Sequence, residues 1–173
     1  MLKSILLKRQ KFVLRLLEPT DVEAYVTLFN QLGEETIRCR FGHLIANLTP
    51  ATAGPFLGDN TPQARAVAVF NEEQDRIAAI GRCYLDPKTK DAEIAIVVAE
   101  AMRRLGLGSL LLQELIELAT REGSKTVSAY IATKNAPVIK LLQSVGFEIQ
   151  PVENEDDLKL VLLLPSPSIA IRD

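Results

Sequence analysis

The stretch RRLGLGSLLL, residues 103–112, decides how the rest of the chain is read. It joins two arginines, two glycines one residue apart and an aliphatic run. The second part is a helix. Leu107, Leu110, Leu111, Leu115 and Leu118 fall on one face at helical spacing, Arg121 falls in the last turn, and Gly123 lies just past the end. The first part is costly for a helix. Gly106 and Gly108 each disfavour it by about 0.8–1 kcal/mol against Ala. Arg103 and Arg104 place positive charge at the positive end of the helix dipole, at about 0.3–1 kcal/mol each when exposed. An anion at this point removes both conflicts: glycines let backbone approach it, free N–H groups point at it, and arginines neutralise it.

Two phosphate-binding patterns do not fit. A Walker A loop needs Lys and then Ser/Thr after its last glycine, but Ser109 follows Gly108 directly. The dinucleotide fingerprint needs a third Gly or Ala where Leu111 stands. What remains is Arg-x-x-Gly-x-Gly, from Arg103 to Gly108, after a strand and opening a helix. The plain alternative is a glycine-containing turn with a basic surface.

Upstream, FVLRLL (12–17) reads as a strand, with Thr20 or Asp21 capping a helix over Val22, Tyr25, Val26, Phe29 and Leu32. EETIRCRF (34–41) is a short helix, and one helical turn is expected after Thr49-Pro50. Strands over 64–70, 76–85 and 92–98, joined by the short turns NEEQD and DPKTKD, predict an antiparallel meander. Downstream the pattern is a helix to 122, a strand at 125–131, a helix from about 135 to 144, a strand opened by Gly146-Phe147, and a last strand at 158–164. Helices crossing between strands imply parallel pairing in part of the sheet. The sum is one mixed α/β domain over residues 1–173.

The 173 residues carry a net charge of -2 and are 47% hydrophobic, so no overall basic field invites nucleic acid or an anionic membrane surface. The initial apolar run is too short for a signal segment, and no stretch is long and uncharged enough to span a bilayer, which predicts a cytoplasmic protein. Cys39 and Cys83 match no metal-ligand spacing and read as reduced, buried cysteines. No metal site is expected.

The loop and its flanks resemble the GNAT superfamily of N-acetyltransferases, whose CoA pyrophosphate loop is Gln/Arg-x-x-Gly-x-Gly/Ala. Val98 stands five residues before Arg103, as in that family. Asn135, Leu141-Leu142 and Gly146-Phe147 keep the family's downstream spacing. The similarity covers roughly residues 76–150. It implies an α/β (α+β) fold with a GNAT-like mixed, mostly antiparallel sheet flanked by helices. It also implies acetyl-CoA, or another acyl-CoA, as co-substrate, held by Val97, Val98, Arg103, Arg104, Leu105, Gly106, Leu107, Gly108, Ser109 and Asn135. LGEETIRCRFGH and Ala92-Glu93-Ile94-Ala95 further resemble the GNAT domains of bacterial protein lysine acetyltransferases, in which the matching Glu is the general base.

Glu93 stands out without any family. AEIAIVV reads as a strand buried on both faces, where a carboxylate must be paired, reach water or shift its pKa upward. A Glu at the strand's exposed start, paired with Lys or Arg, is the plain alternative. The implied chemistry is direct attack of an amine on the thioester, with backbone N–H groups near Val98 steadying the oxyanion. No nucleophile motif points to an acyl-enzyme. One departure matters: the family often has a Tyr, thought to protonate the thiolate, where this chain has Leu142, and leucine donates no proton. Tyr130 is a substitute that nothing in the sequence aims at the site.

Other candidates have plain readings. Asn135 is also an N-cap, with Pro137 in the first turn. His43 is a loop histidine. Glu100 serves the helix dipole or solvent. Arg38 and Arg40 read as a solvated helix face, with recognition of an acidic group as the alternative. Glu153, Glu155, Asp156 and Asp157 read as a solvated acidic turn, with attraction of a basic substrate as the alternative. The expected partners are a CoA thioester and an amine acceptor, either a protein lysine or a small molecule. No nucleic acid or membrane partner is expected, and a homodimer is an open expectation. The rival functions are a non-catalytic acyl-CoA sensor, suggested by Leu142, and an interaction domain that has lost the ligand.

Overall fold

A computed structural model describes residues 2–41, 45, 47–57, 61, 63–151 and 156–165. Strands β1 (Leu2–Leu7) and β2 (Gln10–Leu16) form a hairpin. A 3₁₀ turn (Pro19–Asp21) leads into α1 (Val22–Asn30), followed by α2 (Glu34–Phe41) and α3 (Pro50–Leu57). The meander is β3 (Ala64–Asn71), β4 (Ile77–Leu85) and β5 (Asp91–Val98). A 3₁₀ turn (Glu100–Met102) and the loop then give α4 (Leu107–Arg121), β6 (Thr126–Ala132), α5 (Ala136–Ser144), β7 (Glu148–Gln150) and β8 (Asp157–Leu163).

One eight-stranded sheet runs in the order β1-β2-β3-β4-β5-β6-β8-β7. Every neighbouring pair is antiparallel except β5 with β6, the two strands that α4 joins. The crossover therefore produces the single parallel pairing that the helix pattern implied.

The two faces are covered differently. On one, α4 and α5 bury Leu111, Leu112, Leu115 and Leu142 against Cys83, Ile94, Val127 and Leu160. On the other, α1, α2 and α3 bury Tyr25, Phe29, Ile37 and Leu57 against Ala66, Ala68, Phe70 and Ile80. The α4 stripe is shifted from the one read in sequence. Leu112 and Ala119 are fully buried, while Leu110 and Leu118 are only half-buried. Gly81 lets α4 lie close, because a Cβ there would stand 2.9 Å from Leu115 Cδ1. At the end of α4, the Ser124 N–H donates to the Ala119 carbonyl across left-handed Gly123, the expected stop.

Two expectations are corrected, and one element was not anticipated. The chain start is a strand, β1, turned back through Lys8 and Arg9, both with positive φ (46° and 69°). The helix after Thr49 spans eight residues rather than one turn. Asp21 does not cap α1 through its side chain: its carboxylate accepts two bonds from Arg15, at 2.7 and 2.8 Å, and one from the Glu18 N–H. No helix among the described residues is long and apolar enough to cross a membrane.

Candidate active site

The parallel ladder between β5 and β6 is short. It registers Asp91, Ala92 and Glu93 with Thr126, Val127 and Ser128, and then ends. β5 continues to Val98 on β4, and β6 continues to Ala132 on β8, so the strands part beyond Glu93. The exposed edge of β5 has a definite chemistry. The Ala99 N–H donates to the Ala78 carbonyl at 2.9 Å. Antiparallel alternation then turns the amides of Val97 and Ala95 toward β4, and those of Ile96 and Val98 into the split. The oxyanion donors expected near Val98 thus lie on an edge with no strand partner.

The split leads to the loop. Arg103 is extended, Arg104 is left-handed with φ 62°, and Gly106 is the left-handed N-cap of α4 with φ 95°. The Leu110 N–H is the first to bond back, to the Gly106 carbonyl at 3.0 Å. The N–H groups of Leu107, Gly108 and Ser109 precede it and have no carbonyl within the helix. Leu107 itself is buried and Leu105 packs beside it, so these two anchor the loop and present only backbone. Gly108 is not dictated by internal packing, since an added Cβ would meet only Leu141 Cδ2 at 3.4 Å and Val98 Cγ2 at 3.9 Å. Space at Gly108 and free N–H groups are what a pyrophosphate needs, so the loop fits CoA.

The arginines are better supported than the sequence suggested. Arg103 Nη2 donates to the Thr36 hydroxyl at 2.8 Å and lies 3.6 Å from Glu100 Oε1. Glu100 does not simply face solvent. Its carboxylate accepts from the Gly33 N–H at 3.0 Å and the Thr36 hydroxyl at 3.1 Å, tying the start of α2 to the loop. The Gly33 amide, then Thr36, and more weakly the Arg103 charge hold this carboxyl below its ordinary range. Lys8, which sequence reasoning passed over, reaches in from the β1–β2 turn and donates to the Arg104 carbonyl at 2.6 Å.

Glu93 lies at the fork of the split. The expectation of a strand buried on both faces is wrong here: Ala92 and Ile94 are buried on the α4 side, whereas Asp91 and Glu93 are exposed. Helices α1–α3 cover the other face at β3 and β4 but leave its margin open at the start of β5. Of the options for this carboxylate, the structure shows reach to water. Glu93 shares its face with Ala95 and Val97, and Val97 borders a small apolar cavity with Tyr25, Phe29 and Phe41. In register, Glu93 stands opposite Tyr84 on β4 and Ser128 on β6.

The remaining candidates separate clearly. Asn135 sits at the N-cap position of α5, yet its side chain makes no capping bond; its carbonyl accepts from Val138 and Ile139 instead. It follows the C-terminal end of β6, at the end toward which the split opens. Leu142 is only 2% exposed and packs under α5, so it belongs to the core. Tyr130 is half-exposed on the Glu93 face, with Lys159 Nζ 5.8 Å from its ring centroid. Cys39 and Cys83 are free thiols, but only Cys83 is buried as expected, Cys39 being half-buried; burial pushes the Cys83 thiol up to about 11, which makes it a poor nucleophile. Arg38 is exposed, and Arg40 lies 4.9 Å over the Phe41 ring. His43, Glu153 and Glu155 lie outside the described residues. Sequence reasoning also missed Arg82 and Tyr84, on the face of β4 beside Glu93. The signal was available: one arginine inside the otherwise apolar run IAAIGRCYL.

A sheet split beside a left-handed glycine loop at a helix start has the geometry of an anion-binding site, and the fold around it is that of the GNAT acetyltransferases. The family model described as the acetyltransferase (GNAT) family matches residues 34–147, and the chain belongs to that family. YwnH of Bacillus subtilis strain 168, provisionally named a phosphinothricin acetyltransferase, is 33% identical over 139 residues, covering 78% of this chain and 82% of YwnH. The GNAT domain of S. lividans PAT superposes with a TM-score of 0.84 at 19% identity, covering 94% of this chain and 97% of that one. Spermidine N-acetyltransferase from Vibrio cholerae, solved with CoA and spermine, gives 0.72 at 17% identity, covering 88% and 95%. The protein is an N-acetyltransferase of GNAT fold.

Proposed function

We propose that the protein moves an acetyl group from acetyl-CoA to an amine by direct attack, with Glu93 as general base. The observation that carries this reading is the split itself: it opens at Glu93, is edged by the amides of Ile96 and Val98, and runs toward the Gly106–Ser109 amides. The loop amides and Arg104 hold the pyrophosphate, and Asn135 and Val97 contact the rest of the thioester. The amine nitrogen bonds to the thioester carbon, and the oxygen's growing charge falls on the amides along the β5 edge. Glu93 takes the nitrogen's proton, directly or through one water. As the carbon–sulfur bond breaks, the thiolate takes a proton from water, since Leu142 has none to give, and Glu93 returns the amine's proton to the hydroxide left behind. Direct attack is favoured over a covalent acyl-enzyme, since Cys83 is buried and Cys39 stands in no recognisable nucleophile motif.

The test is Glu93→Gln, followed by thiol release and by calorimetry with CoA. Turnover should fall about 10²–10⁴-fold, while CoA affinity stays at the wild-type value. Unchanged turnover at neutral pH would remove Glu93 as the base.

A further inference from the structure

Arg82 is the least explained side chain in the molecule. It sits in the middle of β4, one of the central strands, and keeps 9% of its surface exposed. Its Nη2 is buried without a hydrogen-bond partner, and no carboxylate of the described residues lies within ion-pair distance of it. Tyr25 is a neutral neighbour: its ring lies 6.0 Å from the guanidinium carbon, and burial pushes its hydroxyl up, a push that a side-chain hydrogen bond with Arg82 only partly offsets, so it supplies no negative charge. A buried guanidinium with no counter-charge among the described residues is costly, and an anion entering from outside would offset that cost.

The surroundings leave room for that anion. Arg82 lines a cleft of about 210 Å³ together with Pro55, Thr61, Ala64, Arg65, Ala66 and Tyr84, and of its two arginines Arg65 already has a carboxylate, Glu122, at 3.9 Å. Its cross-strand neighbours are both alanines, Ala66 on β3 and Ala95 on β5, while Tyr25, Leu28, Phe29 and Phe41 lie on its other flank. Glu93 is its diagonal neighbour on the same face, because Tyr84 pairs with Glu93 and Arg82 with Ala95. Diagonal side chains are rooted roughly 7 Å apart.

We propose that Arg82 binds a carboxylate of the acceptor, so that the substrate is a small amino acid whose acid lies a few bonds from the amine presented to Glu93. This deepens the acyl-transfer reading and rests on it. A carboxylate in the cleft supplies the acceptor that Nη2 lacks, and the two groups then fix the molecule at both ends. A peptide-bound lysine does not fit this pair of contacts: its carboxyl is already an amide and lies at the far end of a long stem from the amine.

The test uses the twenty protein amino acids and phosphinothricin, each beside its carboxamide, with acetyl-CoA and wild type, Arg82→Lys and Arg82→Met. At least one acid should be preferred over its amide by tenfold or more in kcat/KM. Arg82→Met should abolish that preference, chiefly through KM, and Arg82→Lys should restore part of it. Binding of the same probes to the CoA-loaded protein by calorimetry gives the same comparison without turnover. It therefore reads Arg82 even if Glu93 is not the base, and a surviving Arg82 dependence in Glu93→Gln separates the two ideas. Replacing a buried unpaired charge by methionine is compatible with folding, and a thermal melt checks it. No acid preference in wild type, a preference that persists in Arg82→Met, or a lysine peptide acetylated better than every acid would each overturn the proposal.

Discussion

Arg15 and Asp21 show what a single pair of side chains does for the site. Arg15 bonds Asp21 through both terminal nitrogens and lies 3.9 Å over the Phe70 ring, so the pair fastens the entry of α1 to β2. Burial alone would raise the Asp21 carboxyl, but Arg15 and the Glu18 N–H outweigh it and hold the group below its ordinary range. A carboxyl depressed in the folded state contributes stability above its unfolded pKa of about 3.9, and loses it as pH falls through the lower folded value. Asp21→Asn should therefore cost about 2 kcal/mol at pH 7. Urea midpoints taken downward from pH 4 should show the gap between variant and wild type closing; a constant gap would mean that the pair is not ionic. At this scale the sequence was half legible. Glu93 was recognisable as a carboxylate in an apolar strand, and its exposure was one of the alternatives, which the sequence could not decide because which face of β5 is covered depends on helices far away in sequence. Arg82 went unread for the same reason: its isolation is a property of what stands across from it, two alanines on neighbouring strands.

The loop's glycines do different jobs, although they look alike in the motif. Gly106 has a φ of 95° with open space around it, so any other residue is strained there whatever its size. Gly108 is helical and could accept a side chain as far as the protein's own packing is concerned. Gly106→Ala should thus lower unfolding stability by about 1 kcal/mol, with weaker CoA binding as a consequence of the altered loop. Gly108→Leu should leave the unfolding midpoint within about 0.5 kcal/mol of wild type, because leucine is a better helix former than glycine. It should still weaken CoA tenfold or more by blocking backbone approach. Denaturant curves and CoA calorimetry on the two variants give this contrast, and wild-type CoA affinity in a folded Gly108→Leu protein would place the pyrophosphate elsewhere. Elements with strong punctuation were legible in the sequence: α4 between its glycines, the meander between its turns, α5 after Pro137. The β1–β2 hairpin was not, since Lys8 and Arg9 adopt left-handed conformations without the Gly, Asn or Asp that marks such turns. Lys8 was lost with it, and with Lys8 the contact that fixes the Arg104 carbonyl.

Across the whole molecule, the sheet is almost two sheets. Strands β1–β5 form one antiparallel block and β6–β8 another, and between them runs a parallel ladder of only three registered pairs. The crossover α4 and the apolar layer around Leu112, Leu115 and Val127 hold the blocks together on one side. A thioester lying in the split would touch both blocks beyond the ladder's end, so binding and cohesion are coupled. A ligand that binds only the folded state at 100 times its Kd adds about 2.7 kcal/mol of stability. For a domain of this size that corresponds to roughly 5–10 °C in Tm. The expected result is a melting temperature that climbs with acetyl-CoA concentration, and amide exchange that slows most in β5, β6 and the first turn of α4. Slowing confined to the first turn of α4 would show that the ligand touches the loop alone. A Tm that stays constant up to millimolar acetyl-CoA would remove the split as the binding site.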